Sequence, residues 1–431
     1  MSSTRYKPSS SSTIDMAANR VTSIRERVGT AILHRILSRI QIGRLQVITP
    51  AGTVLTHTAT THAELDATLT IHRWRMLYRL IRHGDIGFAE SYIDGDWSSP
   101  NLAALIELAA RNRAPLDETL AGSWWKRLTD RVRHARHANT RRGSRRNIMA
   151  HYDLGNAFYA RWLDKDMSYS SALFADPAET LEAAQNRKLD TIIAQLDLRG
   201  GERVLEIGCG WGQLATRLAA SGAQVVAVTL SPAQREIALQ RVAEAGYADQ
   251  VDIRLQDYRD IEGQFDRIVS IEMFEAVGEA YWPTYFAQLS HLLTPTGRAL
   301  LQVITIDNSR FDAYRRDVDF IQLHVFPGGM LPSPSKIEEL ARAAGMKLDE
   351  EQTFGQSYAW TLAEWHRRFQ REWANLTGQG FDERFKRLWE YYLTYCEGGF
   401  AAKAIDVGFY RLSHAGPFGS AADGSPASSN A

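Results

Sequence analysis

The feature that most constrains this chain is a glycine-punctuated junction, Val204-Leu-Glu-Ile-Gly208-Cys-Gly210-Trp-Gly212. Arg203–Ile207 is a short apolar run, as expected of a strand buried on both faces. Glycines directly after it let the backbone turn tightly and approach a ligand where a Cβ would clash. The alternation continues downstream. Gln213–Ala220 has helical spacing and Gln224–Thr229 reads as a second strand. A helix opens at Pro232, a residue suited to a first helical turn. Val251–Leu255, Phe265–Ile271 and Arg298–Ile304 are three further strands, and Trp360–Phe409 reads as helical and aromatic-rich.

This order predicts an α/β fold, with a parallel sheet wrapped by helices. Right-handed crossovers make it a Rossmann-like doubly wound sheet. A ligand would then lie beyond the carboxyl ends of the strands. Gly208, Gly210 and Gly212 do not follow the dinucleotide spacing G-x-G-x-x-G, and NAD, FAD and S-adenosylmethionine all remain compatible with them. Glu206 suits a cationic ligand better than a pyrophosphate, and S-adenosylmethionine carries a sulfonium and an ammonium. The second strand ends at Thr229, Leu230 and Gln234, where an acidic residue would ordinarily hold ribose hydroxyls. Gln256, Asp257 and Tyr258 follow the third, placed for an adenine edge and face. Glu272 and Glu275 follow the fourth. Of these two, Glu272 reads as a solvated or packing residue.

The 431 residues are 44% hydrophobic, 10% aromatic and 23% charged, which excludes a disordered or collagen-like chain. Cys209 and Cys396 are too few for a disulfide framework or a cysteine-rich zinc site, and no metal is expected. No stretch reaches the ~18 apolar residues of a membrane span. The first residues lack the apolar core of a signal peptide. These features predict a cytoplasmic protein, peripheral to the inner face of the membrane. Residues 1–150 hold 23 Lys and Arg against 12 Asp and Glu, a surplus of 11 that the rest of the chain cancels. Nine of these basic residues fall within 126–146. The chain accordingly divides into a flexible tail 1–20, a small α/β unit 21–125, a basic linker 126–147, the sheet domain 148–415 and a second tail 416–431. In the small unit, helical periodicity beginning at Trp74 is expected to stop at His83-Gly84. Nucleic acid and an anionic membrane surface both suit the basic run, but no Asn-Pro-Pro-Tyr-like base-methylation motif is present, so no nucleic-acid partner is expected.

His151-Tyr-Asp-Leu-Gly-Asn, Met167-Ser-Tyr169-Ser170-Ser171, Val204–Gly212, Thr229-Leu-Ser-Pro-Ala-Gln234, Met273-Phe-Glu275 and Phe326-Pro-Gly-Gly-Met-Leu-Pro-Ser333 occur in one order. As a set they resemble the cyclopropane-fatty-acyl-phospholipid synthase family, which includes the mycolic acid cyclopropane synthases. Gly87-Phe-Ala-Glu-Ser-Tyr-Ile-Asp-Gly-Asp-Trp97 is similar to the N-terminal domain of the phospholipid enzymes. The resemblance implies a class I methyltransferase sheet that transfers a methyl group from S-adenosylmethionine to the double bond of an unsaturated phospholipid acyl chain. It places Tyr169 and Ser170 at the cofactor. It implies a bicarbonate ion as the base, held by Glu275, Tyr358, the amide of Ile304, and the positions of Ser171 and Gln302, where the family has cysteine and histidine. Cys396 matches a cysteine once assigned as nucleophile. Tyr169, Tyr358 and Trp360 are candidate faces for a carbocation. The two departures leave a ring, a methylene and a methyl-branched chain open as products, with a non-catalytic lipid or S-adenosylmethionine binder as a reading of another class. A homodimer remains an open arrangement.

Overall fold

The computed structural model describes residues 24–59, 61–120 and 154–416. The basic linker and both tails, residue 416 apart, lie outside the described residues, as does His151-Tyr-Asp. Two sheets organise the rest. The first has the order β2-β1-β3-β4, built from β1 (Ile42–Ile48), β2 (Val54–Thr58), β3 (Thr61–Ile71) and β4 (Trp97–Ser98). Along β1 buried and half-buried residues alternate, the period of a sheet with one face on a core. The helix Ile24–Leu37 buries Leu33 and Leu37 against that core, so its apolar stripe is packed within the fold.

The expected stop at His83-Gly84 is a kink instead. Gly84 takes φ 58° and ψ −136°, and helix continues on both sides across Arg75–Ile93. Few residues but glycine adopt that geometry, so the chain bends without ending the element. Gly87 lies in the fold of the bend, where a Cβ would stand 2.3 Å from the carbonyl oxygen of Arg79.

The second sheet has the order β10-β11-β9-β8-β5-β6-β7. Its strands are β5 (Arg203–Ile207), β6 (Gln224–Thr229), β7 (Val251–Leu255), β8 (Phe265–Ile271), β9 (Leu293–Ile306), β10 (Met346–Thr353) and β11 (Ile405–His414). From β7 across to β9 neighbours are parallel, and β11 is antiparallel to both β9 and β10. The purely parallel expectation is thus corrected at one edge, and the end of the aromatic-rich stretch is strand β11 rather than helix. β10, with its run Asp-Glu-Glu, lies on that edge and buries little beyond Met346, which is why no hydrophobic pattern marks it. Along β5 Val204 packs into one core and Leu205 and Ile207 into the other, so the strand is apolar throughout. The order reverses between β5 and β8, which opens a crevice at their carboxyl ends. Among the described residues no helix is long and apolar enough to cross a membrane.

The two units share a wall. Helix Leu102–Arg111 packs on helix Glu383–Ala401 so closely that a Cβ on Gly398 would stand 2.8 Å from the amide nitrogen of Glu107. The Tyr92 hydroxyl donates to Glu390 across the same junction.

Candidate active site

At the crevice lies a cavity of about 1690 Å³ that runs from the glycine loop into the small unit. Gly208, Gly210, Glu206, Tyr169, Ser170, Thr229, Leu230, Gln234, Gln256 and Tyr258 all line it. Gly210 sits at φ 51°, and a Cβ built there meets nothing within 4 Å. Gly212 has a different task. It sits at the mouth of helix Gln213–Ala220, and a Cβ would stand 2.8 Å from that of Ala238. The glycines therefore divide between ligand space and helix packing.

Glu206 is buried at the end of β5, and its Oε2 has no hydrogen-bond partner among the described residues. Burial pushes its carboxyl up to about 8. A cationic group in the cavity would reverse that shift, because an opposite charge favours the ionised form. A buried carboxyl that accepts from the Ala215 amide and leaves Oε2 without a partner among the described residues, beside open space at Gly210, fits the sulfonium and ammonium of S-adenosylmethionine. At the end of β6 the Thr229 hydroxyl donates to Gln234 Oε1 at 2.9 Å. Asp257 does not line the cavity with its neighbours. Its carboxylate caps the turn Tyr258–Asp260 and pairs with Arg259 at 2.7 Å.

The second polar group in the cavity is organised by a residue that the sequence reading set aside. Glu272 follows β8 in a left-handed conformation, φ 47°. Its Oε1 accepts from the amide of Ser171 at 2.8 Å and from Gln302 Nε2 at 2.7 Å. Its Oε2 accepts from the Tyr358 hydroxyl at 2.6 Å. These are three of the positions expected to hold a bicarbonate ion. The amide of Ile304, a fourth, donates to Glu275 Oε1. The Ser171 hydroxyl turns away to the Ala172 carbonyl at 2.9 Å, so its backbone rather than its side chain serves the site. With Glu272 in place these donors do not fit a separate ion. A carboxylate of the chain already stands where they converge.

The two glutamates are not equivalent. Burial, then the charge of Glu272, pushes Glu275 up to about 8, and its Oε2 has no partner among the described residues. Burial raises Glu272 too, but the Tyr358 hydroxyl, the Ser171 amide, Lys188 and Gln302 oppose it. Side-chain hydrogen bonds and a lysine thus favour the charged form of Glu272, whereas only backbone amides offset the burial of Glu275. Lys188 was missed altogether, because a lysine within a helical stripe carries no sequence signal. It is 2% exposed, donates to Ser170 Oγ at 2.8 Å, and is pulled down to about 8 by burial. Its charge draws the Glu272 carboxyl down, against the effect of burial. Lys188→Met is therefore expected to shift the acid limb of the pH–rate profile upward, with about tenfold more activity lost on the acid side than on the alkaline side. A uniform loss at every pH would assign Lys188 to packing alone.

Tyr358 and Tyr169 both line the cavity. Tyr358 stacks on Phe400 with centroids 4.5 Å apart, and the Tyr169 hydroxyl bonds that of Tyr392 at 2.9 Å. Trp360 does not join them. It packs edge-on to Phe174 at 5.9 Å and lines no part of the cavity, which corrects its reading as a cation-stabilising face. Cys396 lines the wall, but burial and then the charges of Asp319 and Glu272 push its thiol well up. It is a thiol rather than a thiolate nucleophile. Among the described residues no cluster could hold a metal ion.

Comparison with known proteins agrees with this geometry. The family model described as mycolic acid cyclopropane synthetase matches residues 139–409. Tuberculostearic acid methyltransferase of Mycobacterium tuberculosis is 43% identical over 360 residues, covering 81% of this chain and 84% of that protein. Cyclopropane-fatty-acyl-phospholipid synthase of Escherichia coli K12 is 39% identical over 333 residues, covering 76% and 83%. The crystal structure of a mycolic acid cyclopropane synthase complexed with SAH and CTAB superposes with a TM-score of 0.58 at 31% identity, over 62% of this chain and 97% of that one. On a cofactor loop, a sheet order and a match that spans more than half its length, the chain belongs to the mycolic acid cyclopropane synthetase family of S-adenosylmethionine-dependent methyltransferases.

Proposed function

We propose that this protein methylates the double bond of an unsaturated phospholipid acyl chain and leaves a methylene-branched chain rather than a ring. The observation that carries this reading is the carboxylate of Glu272, fixed where a diffusible base would otherwise sit. When bound, S-adenosylmethionine supplies an electrophilic methyl group. An alkene is a weak nucleophile, so the walls must hold it close and dry. Tyr169 and Tyr358 offer aromatic faces to the carbocation that methylation leaves on the chain. Glu272 then accepts the proton lost from that cation.

The fate of the cation depends on when the proton leaves. Loss of a methyl proton as the neighbouring carbon bonds to that methyl closes a ring. If a hydrogen first shifts from the methylated carbon to its neighbour, loss of a methyl proton gives a methylene. Either route adds one carbon and two hydrogens to the chain. A saturated methyl branch would need a reductant in addition, and no step here supplies one. A relative named for tuberculostearic acid supports the branched outcome, at somewhat higher identity than the cyclopropane synthase.

The lipid lies in a membrane, and the surplus of 11 positive charges in residues 1–150 gives this enzyme a means of approach to anionic leaflets. The test is the product. Purified enzyme, S-adenosylmethionine and dioleoylphosphatidylglycerol are incubated, and the recovered chains are treated with ozone. A methylene is cleaved to a mid-chain ketone, and a cyclopropane survives intact. Recovery of the ring as the main product would overturn the branched assignment.

A further inference from the structure

Three cationic residues line the cavity wall around one turn, Ala401–Ala404. Arg111 ends helix Leu102–Arg111 and donates to the Ala401 carbonyl at 3.3 Å. Arg310, on helix Asn308–Tyr314, donates to the Ala404 carbonyl at 3.0 Å. Lys403 stands between these two carbonyls, and all three residues line the cavity. The register holds the group together, since Ile405 of β11 pairs with Ile306 of β9, one residue before Asp307 caps the Arg310 helix. Two of the cations have carboxylates beside them: Glu107 lies 2.6 Å from Arg111, and Asp307, which accepts from the amide and hydroxyl of Ser309, also feels the charge of Arg310, so the net positive charge of the turn is that of Lys403.

Lys403 carries a cost that its place does not require. Helix Glu383–Ala401 ends in a paired closure, with Lys403 N–H on the Phe400 carbonyl and Ala404 N–H on the Gly399 carbonyl, both at 2.9 Å. The residue inside such a closure is left-handed and is usually glycine. Lys403 sits there at φ 55°. A positive charge is favourable near a helix carboxyl end, but any lysine of the last turn would supply that without strain. A lysine kept at a strained backbone position in a cavity wall points to a ligand.

The distances suit a lipid. β9 carries Gln302 at the Glu272 carboxylate and Ile306 beside the cationic turn, four strand residues and roughly 13 Å apart. The wall between holds Phe400, stacked on Tyr358. We propose that Arg111, Arg310 and Lys403 form a cradle for the phosphate of the phospholipid headgroup, from which the unsaturated chain runs inward past Phe400 and Tyr358 to Glu272. This rests on the acyl-chain methyltransferase reading and adds to it the part of the substrate that is recognised.

The test compares two lipids with the same chains. Dioleoylphosphatidylglycerol has the phosphate and dioleoylglycerol lacks it, and both are presented in neutral detergent micelles. Lys403→Gly removes the charge and relieves the backbone, and Arg310→Gln removes a second charge. Each is expected to raise KM for the phospholipid about tenfold, leave dioleoylglycerol turnover and S-adenosylmethionine affinity unchanged, and, for Lys403→Gly, hold or raise the melting temperature. An unchanged KM, or equal losses on both lipids, would overturn the cradle. Micromolar binding of inorganic phosphate without a change in KM would give the site to free phosphate and overturn the headgroup assignment. If the wild type turns over neither lipid, the methyltransferase reading fails instead. The cradle is then judged by equilibrium binding of phosphatidylglycerol micelles, which the double variant must weaken for it to stand.

Discussion

Glu272→Gln lowers turnover by about 10²- to 10⁴-fold, the usual contribution of a positioned general base, while S-adenosylmethionine affinity stays within about twofold. The amide keeps the shape of the side chain: its oxygen accepts from the Ser171 amide and Gln302 Nε2 while its NH2 donates to the Tyr358 hydroxyl oxygen, so the cavity is preserved and only proton acceptance is lost. Glu275→Gln is the control. Glu275 is held near 8 and is mostly neutral at pH 7, so an uncharged amide should cost under about tenfold. Glu272→Gly asks the sharper question. Its φ of 47° suits glycine, so the backbone stays unstrained. The deletion leaves a hole faced by the Ser171 amide, Gln302 Nε2 and the Tyr358 hydroxyl. Formate, acetate or bicarbonate should enter and restore turnover in a saturable way, whereas the wild type should be indifferent to bicarbonate removal. A wild type slowed by bicarbonate depletion, or an active Gln variant, would remove Glu272 from its role.

The second large effect falls at the cofactor loop. Gly210→Val places a branched side chain in the space that a Cβ would enter without meeting any protein atom. Left-handed backbone at φ 51° adds a strain of about 1–2 kcal/mol. Affinity for S-adenosylmethionine should fall at least about 100-fold, some 2.7 kcal/mol, with a melting temperature lowered by only a few degrees. Calorimetric titration and thermal unfolding of the same sample measure both. Gly212→Ala should reverse the pattern, because its Cβ would press on Ala238 and the helix rather than on the ligand. Unchanged affinity in a folded Gly210→Val protein would move the cofactor elsewhere.

What could be read in advance follows from what each residue owes to its neighbours in sequence. Strands β5, β6 and β8 are interior to the sheet and largely apolar, and the edge strand β7 alternates buried Val251 and Ile253 with polar residues, so their runs announce themselves, and the glycines after β5 name the crevice. The edge strand β10 is mostly polar and β11 follows a long helix, so neither has a local mark. Gly84 was read as a stop because a glycine near a helix end and a glycine at a bend look alike until the second half has packed. Lys188 and Glu272 were illegible for a different reason. Each takes its meaning from a partner that the chain brings back from far away: Ser171, Gln302 and Tyr358 lie about 100, 30 and 86 positions from Glu272. Ser171, Gln302 and Tyr358, expected around one anion, do converge, and the anion they meet in this structure is the Glu272 carboxyl.

The left-handed turn at Glu272 also has an evolutionary consequence. Glycine and glutamate codons are separated by a single nucleotide, and this backbone accepts glycine without cost. A lineage could therefore exchange a tethered base for a borrowed one in one mutational step, with no misfolded ancestor in between. The chemistry at this position is free to drift with a cell's supply of dissolved carbon dioxide while the scaffold around it stays the same.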